Sequence, residues 1–154
     1  MKGYILTFLI SMVPLVELRG GVPYGIIMGI PWQKALPLCM IANMIPVPFI
    51  FFFARKVLIW GSDKKYTRRF FTFCLEKGQH GGEKLKAKAG RGIYVALLLF
   101  VGIPVPGTGA WTGTLAASML DLDFKKSVIA VLLGVLLAGA IMTVLSLLGV
   151  TAFT

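Results

Sequence analysis

Acidic residues are scarce in this sequence: six Asp and Glu stand against sixteen Lys and Arg in 154 residues. Charge of either sign is thin, at 14% of residues, while 57% are hydrophobic and the mean hydropathy is +0.85. That shortage excludes an ordinary soluble domain and points to a small all-α integral membrane protein. The basic excess is not a nucleic-acid footprint, because the cations are not interleaved with base-stacking aromatics along a soluble face. A single histidine, His80, and two separated cysteines, Cys39 in an apolar span and Cys74 in a basic stretch, leave almost no material for a disulfide, a zinc site or an imidazole-based triad. No enzyme, cofactor or metal is therefore expected. The GQHGG run at 78–82 lacks the Gly-Lys-Ser/Thr end of a phosphate-cradling loop and reads as a linker. The opening MKGYILTFLISMV has the look of a signal peptide but runs into charges without an A-x-A cleavage signal, so it is expected to stay in the mature chain.

Long uninterrupted apolar runs are few as well. Two reach the roughly twenty residues that a bilayer requires: 35–59 (ALPLCMIANMIPVPFIFFFARKVLI) and 126–150 (KSVIAVLLGVLLAGAIMTVLSLLGV). Pro46 and Pro48 should kink the first, and Gly134, Ala138 and Gly139 give the second a face for close helix contact. The remaining apolar sequence comes in pairs of short segments, each pair broken in the middle. Segments 4–15 and 22–31 are broken at VELRGG, and 93–103 and 110–120 are broken at PVPGTG. Such lengths suit re-entrant pieces. The order hairpin, turn, span thus occurs twice. Laid against each other, 12–35 and 102–127 align Pro14 with Pro104 and, after a two-residue gap, Trp32-Gln33-Lys34-Ala35 with Phe124-Lys125-Lys126-Ser127.

Lysine and arginine decide whether the broken regions turn back or cross. If both turn back, thirteen cations from Arg55 to Lys126 share one side, against Lys2 and Lys34 on the other. That arrangement obeys the positive-inside rule and puts the loop in the cytoplasm of a plasma (inner) membrane protein. A hairpin plus a span makes one net crossing, so the second unit runs inverted to the first. The expected fold is a single membrane domain, 1–154. Repeat 1 spans 4–59, a basic cytoplasmic loop 60–92, and the inverted repeat 93–150, each repeat being a re-entrant helical hairpin followed by a transmembrane helix. Within the loop, YTRRFFTFCLEK (66–77) places Tyr66, Phe70, Phe71, Phe73, Cys74 and Leu75 on one broad helical arc, suited to the headgroup region with its cations favouring anionic lipid.

Backbone that leaves the helix at membrane depth must be buried in protein or line a wet cavity. The first tip, with Gly20 and Gly21 permitting the reversal, should therefore face the protein centre. An ionisable residue inside a membrane is a functional candidate by default, which singles out Glu17 and Arg19. Two residues apart, they would diverge on a continuous helix and converge in an unwound tip; a pair that merely staples the hairpin is the plainer alternative. The second half-helices, starting near Gly21 and Ala110, would aim their N-termini at the midplane and favour an anion, with the incoming carbonyl ends able to hold a proton or sodium beside it. In the second tip, Pro104, Pro106, Gly107, Thr108, Gly109, Trp111 and Thr112 are the candidate contacts. Asn43, one turn from Pro46, is a candidate for the same cavity or for an interhelical hydrogen bond. Asp121 and Asp123 read as a solvated cap.

The segments ELRGGVPYG (17–25) and FVGIPVPGTGAWTG (100–113) resemble the signature segments of the small multi-drug export protein family, which is similar in turn to the DedA (VTT-domain) superfamily. The resemblance implies two inverted re-entrant hairpins, and DedA-like proteins imply transport of lipid phosphates such as undecaprenyl phosphate. Where that superfamily typically has an arginine after its Pro-Gly turn, this sequence has Gly109. Three functions compete: a flippase whose Arg19 and half-helix N-termini hold an anionic lipid phosphate, a proton-coupled exporter of cationic drugs that exchanges at Glu17, and a non-transporting membrane scaffold. The first is the leading expectation, with membrane lipids as partners, no nucleic acid, and a homodimer packed through Gly134, Ala138, Gly139 and Met142.

Overall fold

The chain is seen in a computed structural model that describes residues 1–70, 72, 73, 76, 80, 83, 92–105 and 107–153, with only the backbone described at 54, 55, 58 and 150–153. Among the described residues all regular structure is helical. Helices α1 (Lys2–Met12) and α2 (Glu17–Ile27) form a packed pair, and the first long span follows as α3 (Trp32–Met44), α4 (Pro46–Phe49), a π-helical turn at Ile50–Ala54 and α5 (Arg55–Ser62). A second packed pair, α6 (Ile93–Gly102) and α7 (Ala110–Met119), leads into the long α8 (Phe124–Phe153).

The break in the first pair lies upstream of its expected place. Pro14 disfavours helix at the residue before it, and Val13 is accordingly extended, with φ −68° and ψ 130°. Leu15 then takes φ 71° and Glu17 φ 54°, left-handed values that reverse the chain within Val13–Val16. Gly20 and Gly21 are therefore not the reversal; they lie inside α2. Nor does the reversal face the centre, since Val13, Pro14, Leu15 and Val16 are all exposed. The second link, 103–109, falls where PVPGTG predicts it, and Gly107 and Gly109 have φ 84° and 145°, which a side chain would oppose.

Two helical stretches are long and apolar enough to cross a membrane, Trp32–Phe53 and Phe124–Gly149, with mean hydropathies of 2.0 and 2.8. Only 28% and 39% of these stretches is buried, so most of each faces outward, as lipid would require. In the first, the prolines act together with the π-helical turn. Pro46 and Pro48 remove two ladder donors, and Ser118 Oγ of α7 donates to Phe51 O within the turn at 2.6 Å.

The packing is reciprocal. Helices α1, α2 and α3 contact one another, as do α6, α7 and α8, and the second helix of each pair crosses over: α2 onto α8, and α7 onto α4 and the π-helical turn. The small face of α8 is consumed in this packing rather than left for a second protomer. A Cβ on Gly134 would meet Leu98 O and Val101 Cβ at 2.7 Å, one on Gly139 would meet Leu36 Cδ1 at 2.5 Å, and Ala138 is 2% exposed. Of the loop helix expected at 66–77, Phe71, Cys74, Leu75 and Lys77 lie outside the described residues. Lys65, Arg68, Arg69, Thr72, Phe73 and Glu76 line a surface cavity of about 560 Å³.

Candidate functional site

Helix α7 begins at Ala110 behind Gly109, which has no side chain to cap the first N–H groups. Glu17, ninety-three residues earlier and 4% exposed, supplies the cap. Its Oε2 accepts from the Ala110 N–H at 3.1 Å and its Oε1 from the Trp111 N–H at 3.0 Å. A carboxylate at a helix N-terminus gains from both charge-assisted hydrogen bonds and the helix dipole. Gly109 makes room for it: a Cβ there would stand within 2.8 Å of Glu17 Cδ. Any side chain at 109, an arginine included, would displace the carboxylate.

Arg19 serves the other side of the same link. Nη1 donates to Val105 O at 2.8 Å, and Nη2 donates to Val101 O at 3.2 Å, Ile103 O at 3.1 Å and Thr108 Oγ1 at 2.9 Å. Val101 is in the last turn of α6, so the guanidinium sits where carbonyls have lost their helical partners. The Thr108 hydroxyl lies 2.7 Å from Val105 O and holds the link closed beneath it. Because Glu17 and Arg19 are two residues apart on a helical turn, they diverge. One reaches the start of α7 and the other the end of α6, while each still feels the charge of the other. They do not converge in an unwound tip. What they staple is one helix pair to the other, and the anion-favouring N-terminus of α7 already holds an anion of the chain itself.

Gly21 brings three helices to closest approach: a Cβ there would overlap Ser11 Oγ of α1 and lie 3.2 Å from Cys39 Sγ of α3. Gly20 is different, since its Cβ would meet the exposed Val16 side chain and lie 3.7 Å from Ile10 Cγ2. Asn43 of α3 is fully buried, and among the described residues neither its Oδ1 nor its Nδ2 has a hydrogen-bond partner. Trp111 Nε1 and Thr114 Oγ1 on α7 are buried without partners as well. Thr112 is half-buried, Pro104 is exposed in the link, and Pro106 lies outside the described residues.

The partners that sequence reading missed are backbone groups: the amides of Ala110 and Trp111 and the carbonyls of Val101, Ile103 and Val105. One signal was available, the absence of Ser, Thr, Asp or Asn before Ala110. Of the two aspartates read as a solvated cap, Asp123 Oδ2 does accept from the Lys126 N–H at 3.0 Å at the start of α8. Asp121, with φ 53°, instead lines a cavity of about 400 Å³ with Phe51, Phe52, Lys56, Ser118 and Leu122.

The family model described as "Putative small multi-drug export protein" matches residues 17–141, from Glu17 itself to the middle of α8. The chain belongs to that family. The match does not extend to the DedA superfamily. Comparisons with curated proteins and with solved structures each returned no match.

Proposed function

We propose that the chain is an inner-membrane exporter of small amphipathic cations, in which uptake of a proton by Glu17 releases the joint between the two helix pairs. The observation that carries this reading is the bonding of Glu17 and Arg19. The acidic side chain inside the apolar segments is spent on holding α7, so a change in its protonation changes how the halves are joined. As a carboxylate, Glu17 accepts two charge-assisted hydrogen bonds; as a carboxylic acid it loses the charge and gains a proton that must itself be placed. The joint weakens, α2 and α7 move apart, and a path opens between them. When the proton leaves again, Glu17 is the negative charge for which a cationic substrate competes. The family to which the chain belongs supports export.

One observation favours a second reading. Once the pairs part, Arg19 and the amides of Ala110 and Trp111 are freed together, and such a set suits the phosphate of a polyprenyl lipid. Efflux of a quaternary cation and flipping of a polyprenyl phosphate, measured side by side in proteoliposomes, separate the two. Cation export predicts that Glu17→Gln abolishes efflux and its pH dependence while no lipid phosphate moves. Flipping that is lost in Arg19→Ala and partly restored in Arg19→Lys would replace it. Indifference of both fluxes to both residues would leave the scaffold.

The topology in this reading is the inverted repeat, each packed pair being a re-entrant hairpin and the basic loop cytoplasmic, and the reciprocal crossing of α2 and α7 supports it. Cysteines placed at Ser62 and Asp123 should both react with an impermeant reagent only from the cytoplasmic side; opposite-side labelling would rule it out. The links bear on assembly. Irregular backbone cannot face lipid at membrane depth, yet Leu15 is 77% exposed and Ile103 and Val105 about half. A homodimer covering the links is the arrangement that removes this cost. A fully active monomer by native mass spectrometry would dismiss it.

A further inference from the structure

The segment that follows the first span carries two kinds of side chain on adjoining faces. Trp60, near the end of α5, is 63% exposed, and Lys64 places its ammonium 4.7 Å from the centre of that ring. An exposed tryptophan stacked with a lysine anchors a span at the headgroup level. From Arg68 to Glu83 every described residue is helical. At about 100° per residue, Lys65, Arg68, Arg69, Thr72 and Glu76 fall on one face, with Tyr66, Phe70 and Phe73 on an arc roughly 100° away. The three cations are exposed, and so are the three rings, Tyr66 at 99%. Large rings facing water are a cost; set into the boundary of a bilayer they are a gain. The cations then lie at the level of the lipid phosphates, their apolar stems reaching over the edge of the aromatic arc.

We propose that this face is a binding site for the headgroup of an anionic phospholipid, held through its phosphate by Lys65, Arg68 and Arg69. The cavity that these side chains line with Thr72, Phe73 and Glu76 measures about 560 Å³, a size suited to a small ligand. Its charge is positive, three cations against the carboxylate of Glu76. Two arginines offer planar forks that match phosphate oxygens, and the Thr72 hydroxyl adds a donor. Phe73 belongs to both faces. It lines the cavity and stands in the aromatic arc, so a phosphate in the cavity has an apolar neighbour where the acyl chains begin. A lipid therefore satisfies both faces at once, and a soluble anion only one. The proposed topology puts the lipid in the cytoplasmic leaflet, but its binding is independent of what the chain exports.

Native mass spectrometry of the delipidated full chain in mild detergent tests this, with phosphatidylglycerol and phosphatidylcholine of the same acyl chains added in turn. Phosphatidylglycerol should bind at least about tenfold more tightly. Each cation at a lipid surface contributes about fivefold, so Arg68→Gln with Arg69→Gln should weaken phosphatidylglycerol about 25-fold. Phosphatidylcholine should bind that variant as before, which also reports that it is folded. Lys125→Gln with Lys126→Gln removes the same charge at the start of α8 and should change little. Tyr66→Ser with Phe70→Ser strips the aromatic arc and should weaken both lipids alike. Glycerol phosphate and inorganic phosphate in large excess should displace neither. Equal affinity for the two lipids, or an equal loss in the arginine and lysine variants, would overturn the site. Displacement by glycerol phosphate would overturn the lipid and put a soluble anion in its place.

Discussion

The first helix pair carries the charges, and the second carries the helix ends that need them. In the first, the link is four apolar residues around Pro14, and Glu17 and Arg19 follow it inside α2. In the second, the link is uncharged, built on glycines at positive φ, and leaves the start of α7 without a side-chain cap of its own. Neither pair is complete alone. The buried carboxylate is held by the α7 amides, and Val101 O at the end of α6 takes its side-chain donor from Arg19 of the first pair. A buried helix end must find its partners within the protein, so this dependence makes the two halves fold as one unit.

The comparison can be broken most severely from the side of the second pair. Gly109→Ala should cost about 3 kcal/mol or more, since the added methyl meets the Glu17 carboxylate and the backbone has φ 145°. The melting temperature in detergent should fall accordingly, and adding Glu17→Asp, which shortens the acid, should restore part of it. Next comes Arg19→Ala, which strips a donor from four acceptors and should cost about 2–3 kcal/mol. Arg19→Lys should recover less than half, because an ammonium cannot span those acceptors as a planar fork does. Gly134→Ala probes the small face of α8. Pressing on Leu98 O, a backbone atom that cannot step aside, it should cost about 1–3 kcal/mol. It should do so at any protein concentration, which a dimer-interface defect would not.

Smaller effects sharpen the comparison within the first pair. Glu17→Gln keeps one acceptor for α7 and should cost about 1–2 kcal/mol of stability while removing the response to pH. The two adjacent glycines should part company in the same melting assay. Gly21→Ala collides with buried Ser11 and should destabilise, whereas Gly20→Ala presses chiefly on the exposed Val16 side chain, and the helix gain of alanine offsets part of that, so it should cost less.

The second pair was legible in the sequence to within a residue because PVPGTG combines prolines and glycines at one place, and both act locally. The first was misplaced because Gly20-Gly21 outweighed Pro14. A glycine pair marks a turn or a close helix contact equally well, and only the positions of Ser11 and Cys39 in space distinguish the two. Glu17 and Arg19 stood out as ionisable residues in apolar surroundings, yet most of their partners are backbone atoms 82 to 94 residues away, to which residue type gives no clue. The second function of Gly109 was hidden for the same reason. Its empty side-chain position matters only because a particular carboxylate occupies it.

The π-helical turn at Ile50–Ala54 has a consequence for how force travels through the first span. Each residue in an α-helix advances by about 100°, so a turn that holds one extra residue rotates everything beyond it by roughly that angle relative to everything before. The span is in effect two shafts joined by a coupling. The upper shaft, residues 32–49, bears on α1 and α2 through α3, and the lower, Arg55–Ser62, bears on α7, as does the coupling itself. The bolt across the coupling is the Ser118 hydroxyl on Phe51 O. Drawing that bolt as α7 shifts would let the extra residue migrate along the helix, so that the lower shaft turns while the upper stays in place.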